Sequence, residues 1–253
     1  MPITPRRPIT VSIVSHGQQG LIVPLLEQLN RFSATSIETV VLTVNIQELD
    51  LIDDAAYSFP IRRIVNPSPR GFGTNHNAAF VQCDTTWFLV LNPDMRLETD
   101  VIGQLLGDAS SRTGLLAPRI FEPGKHLPEP HRGLITPCEI LKRRIRRHTP
   151  PERPAWIPGM FMLFRSQAFR DLKGFNERYF MYGEDFDICA RLRLADWNID
   201  IDESLSAVHA AQRASHRQAR HLAWHMSSLF KVWLSPHFWN YKALLRRSTT
   251  KID

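Results

Sequence analysis

Residues 87–94 read WFLVLNPD, five apolar residues closed by an Asn-Pro-Asp turn. A short apolar run of this kind, bounded by turn residues, predicts a strand at 87–91 that is buried on both faces. Earlier runs of similar length and composition predict further strands at residues 10–15 (TVSIVS), 40–45 (VVLTVN) and 61–66 (IRRIVN). Strands buried on both faces are typical of a parallel sheet.

Helical patterns separate these strands. Apolar residues recur at helical spacing over residues 21–32, and Thr74 is predicted to cap a helix that runs to Cys83. Thr99 is predicted to cap another helix. The alternation of strand and helix predicts an α/β protein with a mostly parallel central sheet and helices on both faces. Because such sheets bind ligands at the carboxyl ends of their strands, the site is expected in those loops.

The second half of the chain is less regular. Residues 114–158 contain nine of the 18 prolines, and they predict a strand near 115–120 followed by a long loop. Regular structure is predicted again as a strand at 160–164 and a helix between Ser166 and Gly174. A longer helix is predicted over residues 184–197.

Composition sets the class of protein. The chain has 253 residues, 43% hydrophobic and 22% charged, which is typical of a soluble globular protein. We expect no transmembrane helix and no secretion signal, because no long apolar run occurs and none follows the basic N-terminus. The three cysteines lack metal-site spacing and predict reduced, buried thiols in a cytosolic protein. They are Cys83, Cys138 and Cys189.

Positive charge is concentrated near the C-terminus. The net charge is +6, and residues 217–253 hold seven basic residues against one acid, so the remainder of the chain is neutral. A second basic run, KRRIRR, lies at 142–147. A neutral body with a basic, aromatic tail points to a partner of the tail.

Two segments that follow predicted strands carry polar groups suited to a site. Asp94, exposed by the proline turn after residues 87–91, is placed to hold Mg²⁺ or Mn²⁺ against substrate phosphates. The alternative is an ordinary Asx-type turn. Residues 71–77 (GFGTNHN) open a helix with two glycines, where bare backbone can approach a ligand, or they form a plain loop.

The most informative segment is residues 174–187, GFNERYFMYGEDFD. Its aromatic loop ends in three carboxylates at a helix N-terminus, where the helix dipole favours the ionised form and suits a general base. Asp187 and Arg191 lie four residues apart and are able simply to pair on the helix surface.

In this order the segments resemble GT-A glycosyltransferases of family 2, especially the rhamnosyltransferase-like branch, from about residue 11 to residue 209. Four blocks carry the resemblance: the first strand ending at Ser15-His16, the GFGxNxN segment, the NPD turn, and GFNERYFMYGEDFDICAR at 174–191. The resemblance implies a GT-A fold, with a Rossmann-like nucleotide-binding half and an acceptor half.

The resemblance also implies roles for individual residues. Asp185 corresponds to the catalytic base, with Glu184 beside it. Asp94 corresponds to the last acid of the metal-binding motif, and His209 completes metal or diphosphate binding or is instead a structural histidine. The residues implied to bind the donor are Ser15, Asn45, Gly71, Gly73, Asn77, Asn92 and Gly159. Asn45 stands where the family usually has an aspartate for the nucleoside base, and its amide is able to hydrogen-bond a pyrimidine.

The implied activity is that of a metal-dependent inverting hexosyltransferase. The expected donor is a dTDP or UDP sugar, with dTDP-rhamnose as the best single candidate, and the cofactor is Mg²⁺ or Mn²⁺. The expected acceptor is a hydroxyl of a bacterial surface glycan or its lipid-linked precursor. The rival interpretations are an inactive family member within a glycan-assembly complex and a nucleic-acid-binding protein, which the lack of any recognition motif disfavours.

The sequence predicts a catalytic domain over 1–215, with halves at about 1–113 and 114–215, and a helical tail over 216–253. Apolar residues in the tail recur at helical spacing near basic ones, which is typical of an amphipathic helix at an anionic membrane. The alternative is that the tail aromatics pack on the body or form a dimer contact. We expect a cytoplasmic protein with peripheral contact to the inner face of the plasma membrane.

Overall fold

The computed structural model describes residues 7–137, 139–140, 149–210 and 218–249. Its strands are β1 (Ile9–Ser15), β2 (Ile37–Val44), β3 (Ile61–Val65), β4 (Trp87–Leu91), β5 (Met95–Arg96), β6 (Thr113–Phe121), β7 (Phe161–Arg165) and β8 (Asn198–His209). Its longer helices are α1 (Gln19–Phe32), α2 (Phe72–Phe80), α3 (Val101–Leu105), α4 (Ser166–Asp171), α5 (Glu184–Leu194), α6 (Gln218–Leu234) and α7 (Pro236–Thr249).

The strands form one mixed sheet in the order β3-β2-β1-β4-β7-β6-β8-β5. The first four strands in that order are all parallel, as the buried apolar runs predict. β7 runs antiparallel to both β4 and β6, whereas β6 and β8 are parallel. The α/β class is confirmed, and the parallel part of the sheet brings the carboxyl ends of β1, β2 and β4 to one edge.

Helix α2 begins earlier than its sequence predicts, and helix α3 begins one residue later. α2 begins at Phe72 with Gly71 as its N-cap, and not at Thr74, because the chain needs no side-chain cap where it packs against the 174–184 segment. α3 is capped by Asp100, whose carboxylate accepts a hydrogen bond from the Gly103 amide at 3.0 Å. A carboxylate one residue nearer the helix therefore replaces Thr99 as the cap.

The loop after β6 is long, as the prolines predict. Among the described residues between β6 and β7, Arg132 and Trp156 form an isolated antiparallel bridge, and the Ala155 amide donates to the Arg132 carbonyl at 2.8 Å. These bonds fix Arg132 and Trp156 to each other. The basic run at 142–147 lies outside the described residues.

The cysteine prediction is confirmed in part. Cys83 and Cys189 are buried free thiols, whereas Cys138 lies outside the described residues. Burial raises the pKa of the Cys189 thiol to about 12, so this thiol stays protonated and unreactive at neutral pH.

The C-terminal helices pack against the body of the protein. Phe238 and Tyr241 of α7 and Val232 of α6 are buried in a small apolar cluster with Phe186 of α5. The Tyr241 hydroxyl donates to the Ala155 carbonyl at 2.6 Å. Part of the aromatic tail therefore completes the body, so removal of the tail exposes this cluster.

No helix within the described parts of the chain is both long and apolar enough to cross a membrane.

Candidate active site

The Asn-Pro-Asp turn follows β4 directly and is held by main-chain bonds. The Asn92 amide donates to the Met160 carbonyl at 2.9 Å, and the Met95 amide donates back to the Asn92 carbonyl at 3.2 Å. Beyond the turn, β5 pairs with the end of β8, with Met95 opposite His209. The turn therefore places Asp94 beside a strand that lies more than a hundred residues away in the sequence.

Asp94 and His209 contact each other in the structure. The Asp94 Oδ2 atom lies 3.2 Å from the His209 Nε2 atom, and this hydrogen bond raises the pKa of His209 above its usual value. The other carboxylate oxygen of Asp94, Oδ1, is buried and has no hydrogen-bond partner. The two residues that the sequence suggested as metal ligands are thus adjacent, and one of them has an unused acceptor.

These two side chains fit a divalent cation that takes its other ligands from the substrate. Among the described residues no cluster of three or more His, Cys, Asp or Glu side chains is arranged to hold a metal ion by itself. Mg²⁺ and Mn²⁺ in phosphate-binding sites commonly use one or two protein ligands, with phosphate oxygens and waters completing the shell. Asp94 supplies a hard oxygen ligand, and the imidazole of His209 is a better ligand for Mn²⁺ than for Mg²⁺.

The carboxylate pair lies at the start of α5. Gly183 caps this helix with a φ of +89°, a conformation that disfavours a side chain. Asp185 accepts hydrogen bonds from the Phe186 amide at 2.8 Å and from the Gly159 amide at 3.3 Å. Both oxygens of Asp185 are therefore oriented by backbone donors.

Burial raises the pKa values of both members of the pair. Desolvation is the main cause for Asp185 and for Glu184, and for Glu184 the neighbouring Asp185 charge adds to it. Burial therefore opposes the helix dipole, which favours the ionised form of both carboxylates. A raised pKa suits a general base, since the group binds the acceptor's proton more firmly.

The two carboxylates face different surroundings. Asp185 lines a cavity of about 320 Å³ between helix α6 and described residues of the long loop, which are Arg132, Ile135, Ile140 and Trp156. Glu184 is 5% exposed, and its Oε2 atom is buried without a hydrogen-bond partner. Of the pair, Asp185 is the one that a ligand in the cavity contacts.

Asp187, the third acid of the 174–187 segment, forms a buried ion pair. Asp187 is 2% exposed and pairs with Arg191, whose Nε atom lies 2.7 Å from its Oδ2 atom. Arg191 also donates to the Leu172 and Gly174 carbonyls, each at 2.8 Å. The expected pair forms, but it is buried rather than on the helix surface, and it ties α5 to the turn after α4.

The glycines of the GFG segment pack against the 174–184 segment. A Cβ atom on Gly71 would lie 2.6 Å from the Phe180 carbonyl oxygen, and one on Gly73 would lie 2.7 Å from the Phe175 Cβ atom. The close approach that these glycines allow is to this protein's own chain. Contact between the backbone of these glycines and the donor stays a prediction.

The Asn77 side chain also contacts the 174–184 segment, through the main chain of Phe175. Its side-chain oxygen accepts from the Phe175 amide at 2.8 Å, and its side-chain nitrogen donates to the Phe175 carbonyl at 2.9 Å. Gly159 packs against the GFG segment, because a Cβ atom there would lie 3.1 Å from the Phe72 ring. Direct donor contacts by these residues stay a prediction.

A network of asparagine side chains joins the carboxyl ends of β2 and β3 to the loop before α2. The Asn45 side-chain oxygen accepts from Asn66 and from the Arg70 amide, each at 2.8 Å, and its nitrogen donates to the Arg70 carbonyl at 3.0 Å. Asn66 also donates to Asn75 at 2.7 Å. Both ends of the Asn45 amide hold the loop before α2, so a nucleobase would have to share or replace one of these bonds. Ser15 accepts from the Gln18 amide at 3.1 Å and so stabilises the turn before α1.

The Asp94–His209 pair and the carboxylate pair are linked through the ends of β4 and β7. Leu91 lies opposite Phe161 in the sheet, and the Asn92 amide is bonded to Met160. Gly159, the residue before Met160, donates to Asp185. A short stretch of hydrogen-bonded chain therefore connects the Asp94 turn with the candidate base.

The cavity includes residues that the sequence did not single out as site residues. They come from the long loop after β6 and from the tail, and they include Arg132, Trp156, His225 and Leu229. Arg132 and Trp156 occupy a segment with no periodic pattern, and His225 and Leu229 lie on a helix that follows the expected catalytic domain. Only the basic and aromatic composition of these segments hinted at a site.

Two curated proteins that the chain resembles are rhamnosyltransferases. An N-acetylglucosaminyl-diphospho-decaprenol L-rhamnosyltransferase of Mycobacterium tuberculosis is 33% identical over 181 residues, which cover 63% of this chain and 59% of that protein. Rhamnosyltransferase WbbL of Escherichia coli K12 is 26% identical over 247 residues, which cover 88% of this chain and 91% of that protein. The alignment with the mycobacterial relative thus spans less than two thirds of its length. No protein family model matches the chain.

Solved structures share the fold. The mannosyltransferase PcManGT of Pyrobaculum calidifontis, solved with GDP-Man and Mn²⁺, superposes with a TM-score of 0.60 at 14% identity, covering 90% of this chain and 65% of that one. TarS of Staphylococcus aureus, solved with UDP, superposes with a TM-score of 0.61 at 14% identity, covering 85% and 64%. At this identity the two structures establish the architecture of the chain and no more.

Proposed function

We propose that this chain is an inverting glycosyltransferase of family 2, in the rhamnosyltransferase-like branch of the GT-A fold. The proposal is supported by the rhamnosyltransferases that it resembles and by the fold that it shares with solved glycosyltransferases. The proposed donor is a dTDP or UDP sugar, with dTDP-rhamnose first. The proposed acceptor is a hydroxyl of a lipid-linked glycan precursor. The observation that carries the proposal is the linkage of the Asp94–His209 pair to a cavity with Asp185 on its wall.

In this reaction Asp185 accepts the proton of the acceptor hydroxyl. The freed oxygen forms a bond to the anomeric carbon of the donor, on the face opposite the leaving group. The bond between that carbon and the diphosphate oxygen breaks, and its electron pair leaves with the nucleoside diphosphate. The anomeric centre is therefore inverted. Backbone donors at residues 159 and 186 hold the carboxylate in place during the transfer.

Asp94 and His209 would hold Mg²⁺ or Mn²⁺ against the diphosphate. Such a cation stabilises the negative charge of the leaving group. The support in this chain is the unpartnered Asp94 Oδ1 atom beside the imidazole. The presence of Mn²⁺ with GDP-Man in PcManGT supports the same use of a metal in this fold.

A thermal-shift and transfer assay tests the proposed activity. With Mn²⁺ present, dTDP-rhamnose is expected to raise the melting temperature, because a ligand that binds only the folded state stabilises it by RT ln(1 + [L]/Kd). The same mixture is expected to transfer rhamnose to N-acetylglucosaminyl-diphospho-farnesol. Binding of sugar nucleotides without transfer to any acceptor would favour the inactive-subunit interpretation, and no binding would contradict both.

The tail supports contact with an anionic membrane. One flank of α6 exposes four large apolar side chains spaced four residues apart: Leu222, Met226, Phe230 and Leu234, with exposed fractions of 63, 45, 55 and 80%. Nearby on α7, Trp239 is 54% exposed and Lys242 lies 4.8 Å from its ring centroid. An exposed apolar flank next to basic residues fits the headgroup region of an anionic bilayer, on the cytoplasmic face in this proposal.

Vesicle co-sedimentation tests this contact. The protein is expected to pellet with vesicles that contain phosphatidylglycerol at low salt and to be released at high salt. Phe230→Ser with Leu234→Ser should weaken binding by tenfold or more, since burying each side chain is worth roughly 1.5–3 kcal/mol. Val81→Ser removes another exposed apolar side chain, 85% exposed, and should change nothing. Equal binding by all three proteins, or a change of oligomeric state in the double variant instead, would contradict membrane contact.

A further inference from the structure

Helix α6 packs against residues 178–183, the segment that leads into the carboxylate pair. The Ser228 hydroxyl donates to the Met181 carbonyl at 2.9 Å, and the Lys231 ammonium donates to the Arg178 carbonyl at 2.7 Å. A Cβ atom on Gly183, the cap of α5, would lie 3.2 Å from a Val232 methyl group. The helix therefore contacts the turn from which Asp185 projects.

The same helix forms one wall of the cavity that Asp185 lines. From α6 the wall includes His225, Ser228 and Leu229, and the opposite wall includes Arg132 and Trp156. The volume of about 320 Å³ lies at the small end of the range for ligand sites, which is about 300–1,000 Å³. The space therefore suits one sugar ring rather than an extended chain.

The chemistry of the walls fits a sugar. The indole of Trp156 and the side chain of Leu229 offer apolar surface to the less polar face of a ring. His225 and Tyr182 also line the cavity, and their rings stack with centroids 3.8 Å apart and planes at 13°. Small-molecule sites commonly combine such apolar walls with a few placed polar groups.

Arg132 supplies a second, independent sign of a ligand. Its terminal nitrogen pairs with Glu129 at 2.7 Å, which holds the guanidinium in place. Its Nε atom is buried and has no hydrogen-bond partner in the structure. A buried donor without a partner is costly, and an oxygen of a bound ligand would satisfy it.

We propose that this cavity binds the acceptor sugar, and that helix α6 is a specificity-determining element of the reaction rather than a membrane contact alone. This inference rests on the proposed function. The acceptor sugar lies between Trp156 and Leu229, with its attacking hydroxyl at Asp185 and another oxygen at Arg132. Since Leu229 is next to the exposed apolar flank of α6, an acceptor held at a bilayer surface reaches the cavity directly.

Filling the cavity from α6 tests the inference. Leu229→Trp places a large side chain in the acceptor space without touching the Asp94 site. With N-acetylglucosaminyl-diphospho-farnesol as acceptor, in detergent and without vesicles, the variant should raise the acceptor KM about tenfold or more. The donor Kd and the slow hydrolysis of the donor by water should not change, because neither uses the cavity wall.

Two further variants keep the test decisive. Ser227→Trp adds the same side chain on the opposite, exposed face of α6, and it should leave the acceptor KM and the donor Kd unchanged. His225→Ala removes a ring from the cavity wall without adding bulk, and it should also raise the acceptor KM while the donor Kd does not change. If the wild type transfers sugar and all three variants match it, the inference is wrong and the proposed function stands. If the wild type transfers no sugar from any nucleotide donor, the proposed function itself fails.

Discussion

Asp185→Asn is expected to reduce the turnover number by roughly 10²–10⁴-fold while leaving the melting temperature nearly unchanged. The amide keeps an oxygen that accepts from the Phe186 amide and loses the longer bond to the Gly159 amide, and this loss is offset because a neutral side chain costs less to bury than a carboxylate. It cannot accept a proton from the acceptor hydroxyl, so the chemical step loses its base. Donor affinity, measured by calorimetry with Mn²⁺, should be unchanged because the base serves the acceptor.

The pH dependence provides an independent check on Asp185. Because burial raises the pKa of this carboxyl, the rate should fall on acidification at a higher pH than an ordinary aspartate would give. The residual rate of Asp185→Asn should lack this acidic limb. An unchanged limb in that variant would assign the titration to another group.

Glu184→Gln is the matched control for the pair. The raised pKa of Glu184 means that its stabilising contribution is complete below its usual pKa, near 4.5, and is lost as the pH rises through the folded-state value. The amide has no charge to bury, so unfolding measurements should show a smaller loss of stability toward alkaline pH. If Glu184→Gln abolishes transfer and Asp185→Asn does not, the roles within the pair are reversed.

Asp94→Ala is expected to reduce transfer by at least about 100-fold. A cation at a departing diphosphate stabilises the transition state by several kcal/mol, and about 1.4 kcal/mol corresponds to tenfold in rate. The variant should also lose the rise in melting temperature that donor and Mn²⁺ produce together. Its own melting temperature should fall only modestly, because the Asp94 Oδ1 atom satisfies no other group and the change removes only the 3.2 Å contact of Oδ2 with His209.

Two variants show whether Asp94 acts through a metal. Glu98→Ala removes an exposed carboxylate four residues away and should retain full activity and full Mn²⁺ dependence. His209→Ala should weaken the apparent Mn²⁺ affinity, and raising the Mn²⁺ concentration should restore part of its rate. Activity of Asp94→Ala within a few-fold of the wild type, with unchanged metal dependence, would contradict the proposed metal site.

The local pattern of the sequence was sufficient for the class of the fold. Apolar runs such as 87–91 are short, free of charge and bounded by turn residues, so they report burial on both faces directly. The strand at 161–165 was predicted in nearly the right place, but its antiparallel direction was not. Direction depends on which strands a strand joins, and periodicity carries no information about that.

The sequence also marked the two ends of the candidate site. The NPD turn and the 174–187 segment stand out because polar groups follow strands or open a helix, and their resemblance to one family of enzymes connected them. The structure adds that Asp94 touches His209 and that Asp185 faces a cavity while Glu184 does not. Neighbouring residues on one helix differ in direction, and only the packing around α5 distinguishes them.

What the sequence by itself determined about this protein is its α/β class, its most informative segments and the acids at their ends. The tertiary structure alone decided that Gly71 and Gly73 make room for the 174–184 segment, and that the tail helix forms a wall of the cavity. The periodicity of apolar residues in a sequence shows which side chains are buried. It does not show which segment buries them, because any apolar partner buries a side chain equally well. The identity of the partner is set by contacts between segments far apart in the chain, which form only when the whole sheet and its helices pack together.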